Sequence, residues 1–138
     1  LGVDWNAKKI QDLIEDIKVN LKIDNNRIYL TGLSMGGRGT FIVASKLPKT
    51  FAAIMPLSPH HQPYSYLPLS EKVSHLPTFL HHSKNDKTSK FSMAESMYNK
   101  LLVNNDNIRF DIGNSGHSGW SKIYENEKNI TWFLSWKK

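Results

Sequence analysis

Apolar residues recur along this chain with two alternating periods. Ile10, Leu13, Ile14, Ile17 and Leu21 stand three or four residues apart. That spacing predicts an amphipathic helix over about Trp5–Leu21, with Asp4 available as its N-cap. Asp24-Asn25-Asn26 reads as a turn, and Arg27–Thr31 (RIYLT) as a short buried strand stopped by Gly32. Gly36–Leu47 suits a second helix closed by Pro48, and Ala52–Leu57 (AAIMPL) a second strand with Pro56 near its end. Residues 58–76 read as a loop with one helical turn after Ser70. Thr78–His82 (TFLHH) is a third strand, and Ala94, Met97, Tyr98 and Leu101 mark a third helix. After the turn-rich Asn104–Asn107, Ile108, Phe110 and Ile112 alternate with Arg109 and Asp111, the pattern of a strand with one wet face near a sheet edge. Trp120, Ile123, Tyr124, Glu127, Thr131 and Leu134 align along one side of a single closing helix.

Strands alternating with helices or long crossovers predict an α/β fold. The expected architecture is three-layer α/β/α, with a mostly parallel sheet of about four strands in one domain over 1–138. In such sheets reactive groups gather just beyond the carboxyl ends of the strands.

Composition narrows the classes. With 39% hydrophobic and 22% charged residues the chain is globular, and its apolar runs are far shorter than a membrane span requires. The absence of cysteine removes disulfide scaffolds, thiolate zinc sites and Cys nucleophiles. The net charge of +6 comes from 15 Lys and only 3 Arg, scattered among acids. Bidentate recognition of phosphates and bases favours Arg, so this is a solvated Lys-rich surface and no nucleic-acid partner is expected. The chain begins at Leu1 without a signal-like segment, and the compartment is not read from it.

The first strand runs into Gly32-Leu33-Ser34-Met35-Gly36-Gly37. A serine between two glycines, after a strand and before a helix, is a nucleophile elbow, with the positive end of the helix beneath it. A serine hydroxyl needs a base, and the base an orienting acid. Asp86 follows the third strand, whereas Asp106 precedes a strand and Asp111 lies on a strand face. His117 stands in the glycine-flanked loop Gly113–Gly119 after the fourth strand and is the only histidine beyond Asp86. His60-His61 and His81-His82 do not suggest a metal, because adjacent residues of an extended segment point to opposite faces. His60, His61, Tyr64 and Tyr66 are expected to line the mouth of the site, with Trp120 a further substrate contact.

These segments resemble the C-terminal half of an α/β-hydrolase, in particular esterases of the dienelactone-hydrolase, feruloyl-esterase and phospholipase/carboxylesterase type. The resemblance covers about Asp24 to Leu134 and is carried by DNNRIYLTGLSMGGRGT, FAAIMPLS, LPTFLHHSKND and GHSGW. It implies Ser34 as nucleophile, Asp86 as acid, His117 as base, and the Met35 backbone N–H as one oxyanion donor, the second lying outside this chain. No cofactor or metal is implied. Where relatives often carry His-Gly after the third strand, this chain has His82-Ser83.

The implied activity is hydrolysis of carboxylic esters, in small molecules or on polymers, since residues 58–76 are too few for a large lid. A serine peptidase of the prolyl-oligopeptidase type resembles the chain in residue order, although Met35 stands where those enzymes commonly carry an aromatic residue. A non-catalytic hydrolase-like binding module is the alternative from another class. In the family the elbow strand is paired on both sides. Here Ile28, Tyr29 and Leu30 are expected to form an apolar edge open to self-association.

Overall fold

A computed structural model describes residues 4–138. Its centre is a four-stranded parallel sheet in the order β1-β2-β3-β4, formed by β1 (Tyr29–Leu33), β2 (Ala53–Leu57), β3 (Thr78–Ser83) and β4 (Ile108–Gly113). The register pairs Leu33 with Leu57 and Ser83 with Gly113, so the carboxyl ends of neighbouring strands lie level. β2 and β3 are buried throughout, as expected of parallel strands covered on both faces. Pro56 is accommodated within β2.

Helices cover both faces. On one side lie α1 (Ala7–Asn20), α2 (Met35–Lys46), α3 (Ser70–Val73, preceded by a 3-10 turn at Leu67–Leu69) and α4 (Phe91–Leu102). They pack Phe41, Val43, Leu47, Met97 and Leu101 against Ile54 and Leu80. On the other side, α5 (Trp120–Glu125) and α6 (Glu127–Leu134) bring Ile123 and Phe133 onto Met55, Leu57 and Phe79. Neighbouring strand residues thus serve opposite layers. This is the three-layer α/β/α arrangement that the alternation of strands and helices predicts.

Four expectations are corrected. The closing helix is two helices, because Asn126 leaves helical geometry and its side chain accepts from the Lys128 and Asn129 N–H groups, starting α6 anew. The face changes with it: Phe133 is buried while Leu134 is exposed. Asn6 caps α1, accepting from the Lys9 N–H. Asp4 instead pairs with Arg38, whose Nη2 lies 2.8 Å from Asp4 Oδ2. Tyr66 is fully buried and stacks on Phe41, with ring centroids 5.1 Å apart, so it does not line a mouth.

β1 is the outer strand on its side, paired only with β2 among the described residues. No described helix is long and apolar enough to cross a membrane.

Candidate active site

Between β1 and α2 the chain turns at Ser34, whose φ of 55° and ψ of −115° are unusual for a residue with a side chain. Backbone hydrogen bonds hold this strained turn. The Ser34 N–H donates to the Leu57 carbonyl at 2.9 Å, and the Arg38 N–H reaches back to the Ser34 carbonyl at 3.1 Å. The requirement for small residues falls unevenly. A Cβ at Gly32 would stand 2.3 Å from the Gly36 carbonyl oxygen, and one at Gly37 would stand 2.6 Å from the Leu57 oxygen. A Cβ at Gly36 would meet nothing within 4 Å. The backbone of Gly36, not its missing side chain, is what Gly32 accommodates.

The tight turn directs Ser34 Oγ to His117, whose Nε2 lies 2.8 Å away. His117 comes from the loop after β4, held by Asn85 Oδ1, which accepts from the Gly116 N–H at 2.8 Å, and by Ser83 Oγ, which accepts from the Ser115 N–H at 3.1 Å. Trp120 packs edge-on against the imidazole, with centroids 5.1 Å apart, and its indole N–H is fixed on Ser58 Oγ at 3.0 Å. His117 Nδ1 lies 2.8 Å from Asp86 Oδ2.

Asp86 sits in the loop after β3 with its side chain fully buried. Burial alone would push its pKa up. The hydrogen bond with His117 and the N–H groups of Ser89 and Thr88, each 2.8 Å from Oδ1, more than offset this and hold the carboxyl below its ordinary range. A buried carboxylate with several donors stays ionised at neutral pH. Met35 is the first residue of α2, where backbone N–H groups precede the helical hydrogen-bonding pattern and are free to meet an anion.

His60 and His61 also reach this end of the sheet. The His60 N–H donates to the Ser34 carbonyl at 3.1 Å, and its ring Nδ1 lies 2.8 Å from Ser89 Oγ. The two rings lie 4.8 Å apart. Burial, then the neighbouring His61 and His117, lowers the His60 pKa; burial and Lys90 do the same for His61. Tyr64 is exposed, and only its carbonyl is engaged, by Arg38. Of the expected substrate contacts, His60 lies against Ser34 and Trp120 against His117, His61 lies beside His60, and Tyr64 is exposed.

Two residues with no assigned role in the sequence reading adjoin the site. His82, fully buried, points its Nε2 at the Ser89 carbonyl (2.8 Å), with Asp86 Oδ2 3.3 Å away. Ser89 supplies an N–H to Asp86, a hydroxyl to His60 and a carbonyl to His82. The signal was positional: His82 stands four residues before Asp86 and Ser89 three after. Among the described residues no group of three or more His, Asp or Glu side chains is placed to hold a metal ion.

The sequence matches the PET hydrolase-like family (PETase) over residues 5–138. It is similar to Cutinase est1 of Thermobifida alba, 32% identical over 100 residues, which is 72% of this chain and 32% of that protein. It is also similar to poly(3-hydroxyalkanoate) depolymerase C of Paucimonas lemoignei, 36% identical over 52 residues, 38% of this chain and 13% of that protein. The chain thus spans a third or less of the length of these two relatives. Among solved structures, a thermostable esterase superimposes with a TM-score of 0.84 at 26% identity, covering 94% of this chain and 36% of that one. The fold, the site at the carboxyl ends of the strands and the match over nearly the whole chain agree: the chain belongs to the PET hydrolase-like family of esterases with the α/β-hydrolase fold.

Proposed function

We propose that this chain carries the catalytic machinery of a serine hydrolase that cleaves carboxylic esters through an acyl-enzyme on Ser34. The observation that carries the reading is the unbroken relay from Ser34 Oγ to His117 Nε2 (2.8 Å) and from His117 Nδ1 to Asp86 Oδ2 (2.8 Å). Both links are within the reach that proton transfer requires.

Ser34 Oγ attacks the ester carbonyl carbon while its proton passes to His117 Nε2. Asp86 keeps the other proton on Nδ1 and offsets the charge of the imidazolium. The Met35 N–H stabilises the oxyanion, aided by the positive end of α2. Collapse breaks the bond to the alcohol oxygen, which takes the proton from His117 and leaves. Water then gives a proton to His117 as it attacks the acyl carbon. Collapse of the second oxyanion breaks the bond to Ser34 Oγ, and the proton returns to Oγ. His60, whose N–H meets the Ser34 carbonyl, and His61 beside it are assigned to substrate contact, with Trp120 backing the imidazole and Tyr64 at the outer margin.

Esters carried on a polymer are the favoured substrate class. One relative is named for depolymerising a poly(3-hydroxyalkanoate), whose links are ester bonds, and another is named a cutinase. The short segment between β2 and β3 (residues 58–77) leaves no room for a large lid domain. The reading is tested by mixing the protein with p-nitrophenyl acetate and analysing it during turnover. The expected result is release of p-nitrophenol together with an acetyl group on the Ser34 peptide; turnover with no acylated Ser34 would overturn it.

A further inference from the structure

Among the described residues only two besides glycine take a positive φ: Ser34, at 55°, and Ser58, at 45°. They are level in the sheet, because Leu33 and Leu57 are register partners and each serine is the next residue. They also make the same backbone contact. The Ser34 N–H donates to the Leu57 carbonyl at 2.9 Å, and the Ser58 N–H to the His81 carbonyl at 2.8 Å. Such a conformation is unfavourable for a residue with a Cβ and persists only where its surroundings hold it. At Ser34 it presents the nucleophile. Ser58 is fully buried, so its hydroxyl meets no substrate. That oxygen instead lies 3.0 Å from the Trp120 indole nitrogen. An indole N–H can only donate, so Ser58 Oγ is the acceptor.

We propose that Ser58 is a positioning residue for ester hydrolysis: its turn is a common brace that holds the Ser34 main chain and, through Trp120, the His117 ring. The proposal rests on the Ser34–His117–Asp86 reading above. On the nucleophile side, the neighbours of Ser58 engage both polar groups of the Ser34 main chain. The Leu57 carbonyl takes the Ser34 N–H, and the His60 N–H donates to the Ser34 carbonyl at 3.1 Å. Helix α2 is seated on the same turn. A Cβ at Gly37 would stand 2.6 Å from the Leu57 oxygen and 3.0 Å from Pro59 Cα.

On the base side, Trp120 opens α5 three residues after His117. Its ring stands at 87° to the imidazole with centroids 5.1 Å apart. Apolar contact by itself has no direction, so it would let the indole slide and the imidazole follow. The bond from the indole N–H to Ser58 Oγ ties the ring to the end of β2, a strand buried along its whole length. Two loops that meet only at the site are thereby referred to one turn. Alanine at position 58 would leave the indole N–H without its acceptor.

The test follows phosphonylation of Ser34 by a fluorophosphonate at increasing probe concentration, reading the maximal rate and the concentration that gives half of it. Ser58→Ala removes only the hydroxyl oxygen. Ser58→Gly removes it and suits the positive φ, which keeps the test decisive should Ser58→Ala not fold. Trp120→Phe keeps an aromatic ring and removes the donor. Each is expected to lower the maximal rate on the order of tenfold, because the freed ring lets His117 shift by a fraction of an ångström. The half-saturating concentration is expected to stay unchanged in the Ser58 variants. The Ser58→Gly, Trp120→Phe double variant is expected to be no slower than the slower single one, since both remove the same hydrogen bond. Independent packing effects would multiply instead. Parent-like maximal rates in the Ser58 variants, multiplied effects in the double variant, or a change confined to the half-saturating concentration would overturn the proposal. If the unsubstituted protein is not labelled at Ser34, the nucleophile reading fails and this proposal with it; if it is labelled there and the effects multiply, only the role of Ser58 falls.

Discussion

Ser34 Oγ and His117 Nε2 lie 2.8 Å apart although 83 residues separate them in the chain. The contact exists because β1 and β4, the two outer strands, both end on the same side of a parallel sheet. Everything between them serves to keep two loop residues in register.

His117 and Asp86 are the proposed base and its orienting acid, so His117→Ala would remove the proton acceptor and Asp86→Asn would leave the imidazole free to adopt the wrong tautomer. Each is expected to lower the rate of p-nitrophenyl acetate hydrolysis by roughly 10⁴-fold relative to the unsubstituted chain. Circular dichroism is expected to show the fold retained. Asp86→Asn with undiminished turnover would remove Asp86 from the mechanism.

Glycine substitutions around the Ser34 turn separate two positions that look alike in sequence. Gly32→Ala places a Cβ 2.3 Å from a backbone oxygen, so it is expected to cost about 1–3 kcal/mol and to disturb Ser34. Gly36→Ala meets nothing within 4 Å and lies inside a helix, where Ala is favoured by up to about 1 kcal/mol. Urea denaturation is expected to show the first variant destabilised and the second equal to or above the parent. The opposite order would mean that the turn is held differently.

Stability is expected to fall on mild acidification. The folded-state pKa values of His60, His61 and His82 lie below the ordinary histidine value of 6.5, so the unfolded chain binds more protons than the folded one as that value is approached from above. The stabilisation from keeping these groups neutral is fully present well above pH 6.5 and is lost as pH falls below it. Asp4, Asp86 and Asp111, held below the ordinary 3.8, act in the same direction at lower pH. Urea midpoints at pH 7.5 and 5.5 check this; an equal or higher midpoint at pH 5.5 would contradict it.

The free edge of β1 predicts association. Its N–H and C=O groups on that side have no strand partner among the described residues, and Leu33 at its end is 39% exposed. Unprotected edges of this kind pair with other chains. Sedimentation of the 138-residue chain is expected to show mass rising with concentration; a monomer throughout would show the edge to be protected.

Much of this was legible in the sequence because each signal was local. AAIMPL is an apolar run of strand length, and parallel strands buried on both faces read that way. The strand–turn–helix around Ser34 was legible because Gly-x-Ser-x-Gly sits between an apolar run and a helical period. What escaped were choices among equivalent local options. Asp4 and Asn6 are both capping residue types, and only the position of Arg38, far along the chain, draws Asp4 away. Trp120 to Leu134 keeps a helical period across Asn126, so the break there is set by a side-chain cap that periodicity does not register. Tyr66 reads as a polar-tipped loop residue, yet Phe41 offers it a buried stacking partner. His82 was hidden by its neighbour: His81-His82 looks like a pair, but the strand sends His81 to Asp111 and His82 to the Ser89 carbonyl.

The nucleophile assignment is tested most directly by treating the protein with a fluorophosphonate probe and mapping the adduct by peptide mass spectrometry. One adduct is expected, on Ser34, lost in Ser34→Ala and strongly slowed in His117→Ala. An adduct on Ser58, Ser83 or Ser115, or labelling that survives Ser34→Ala, would contradict it.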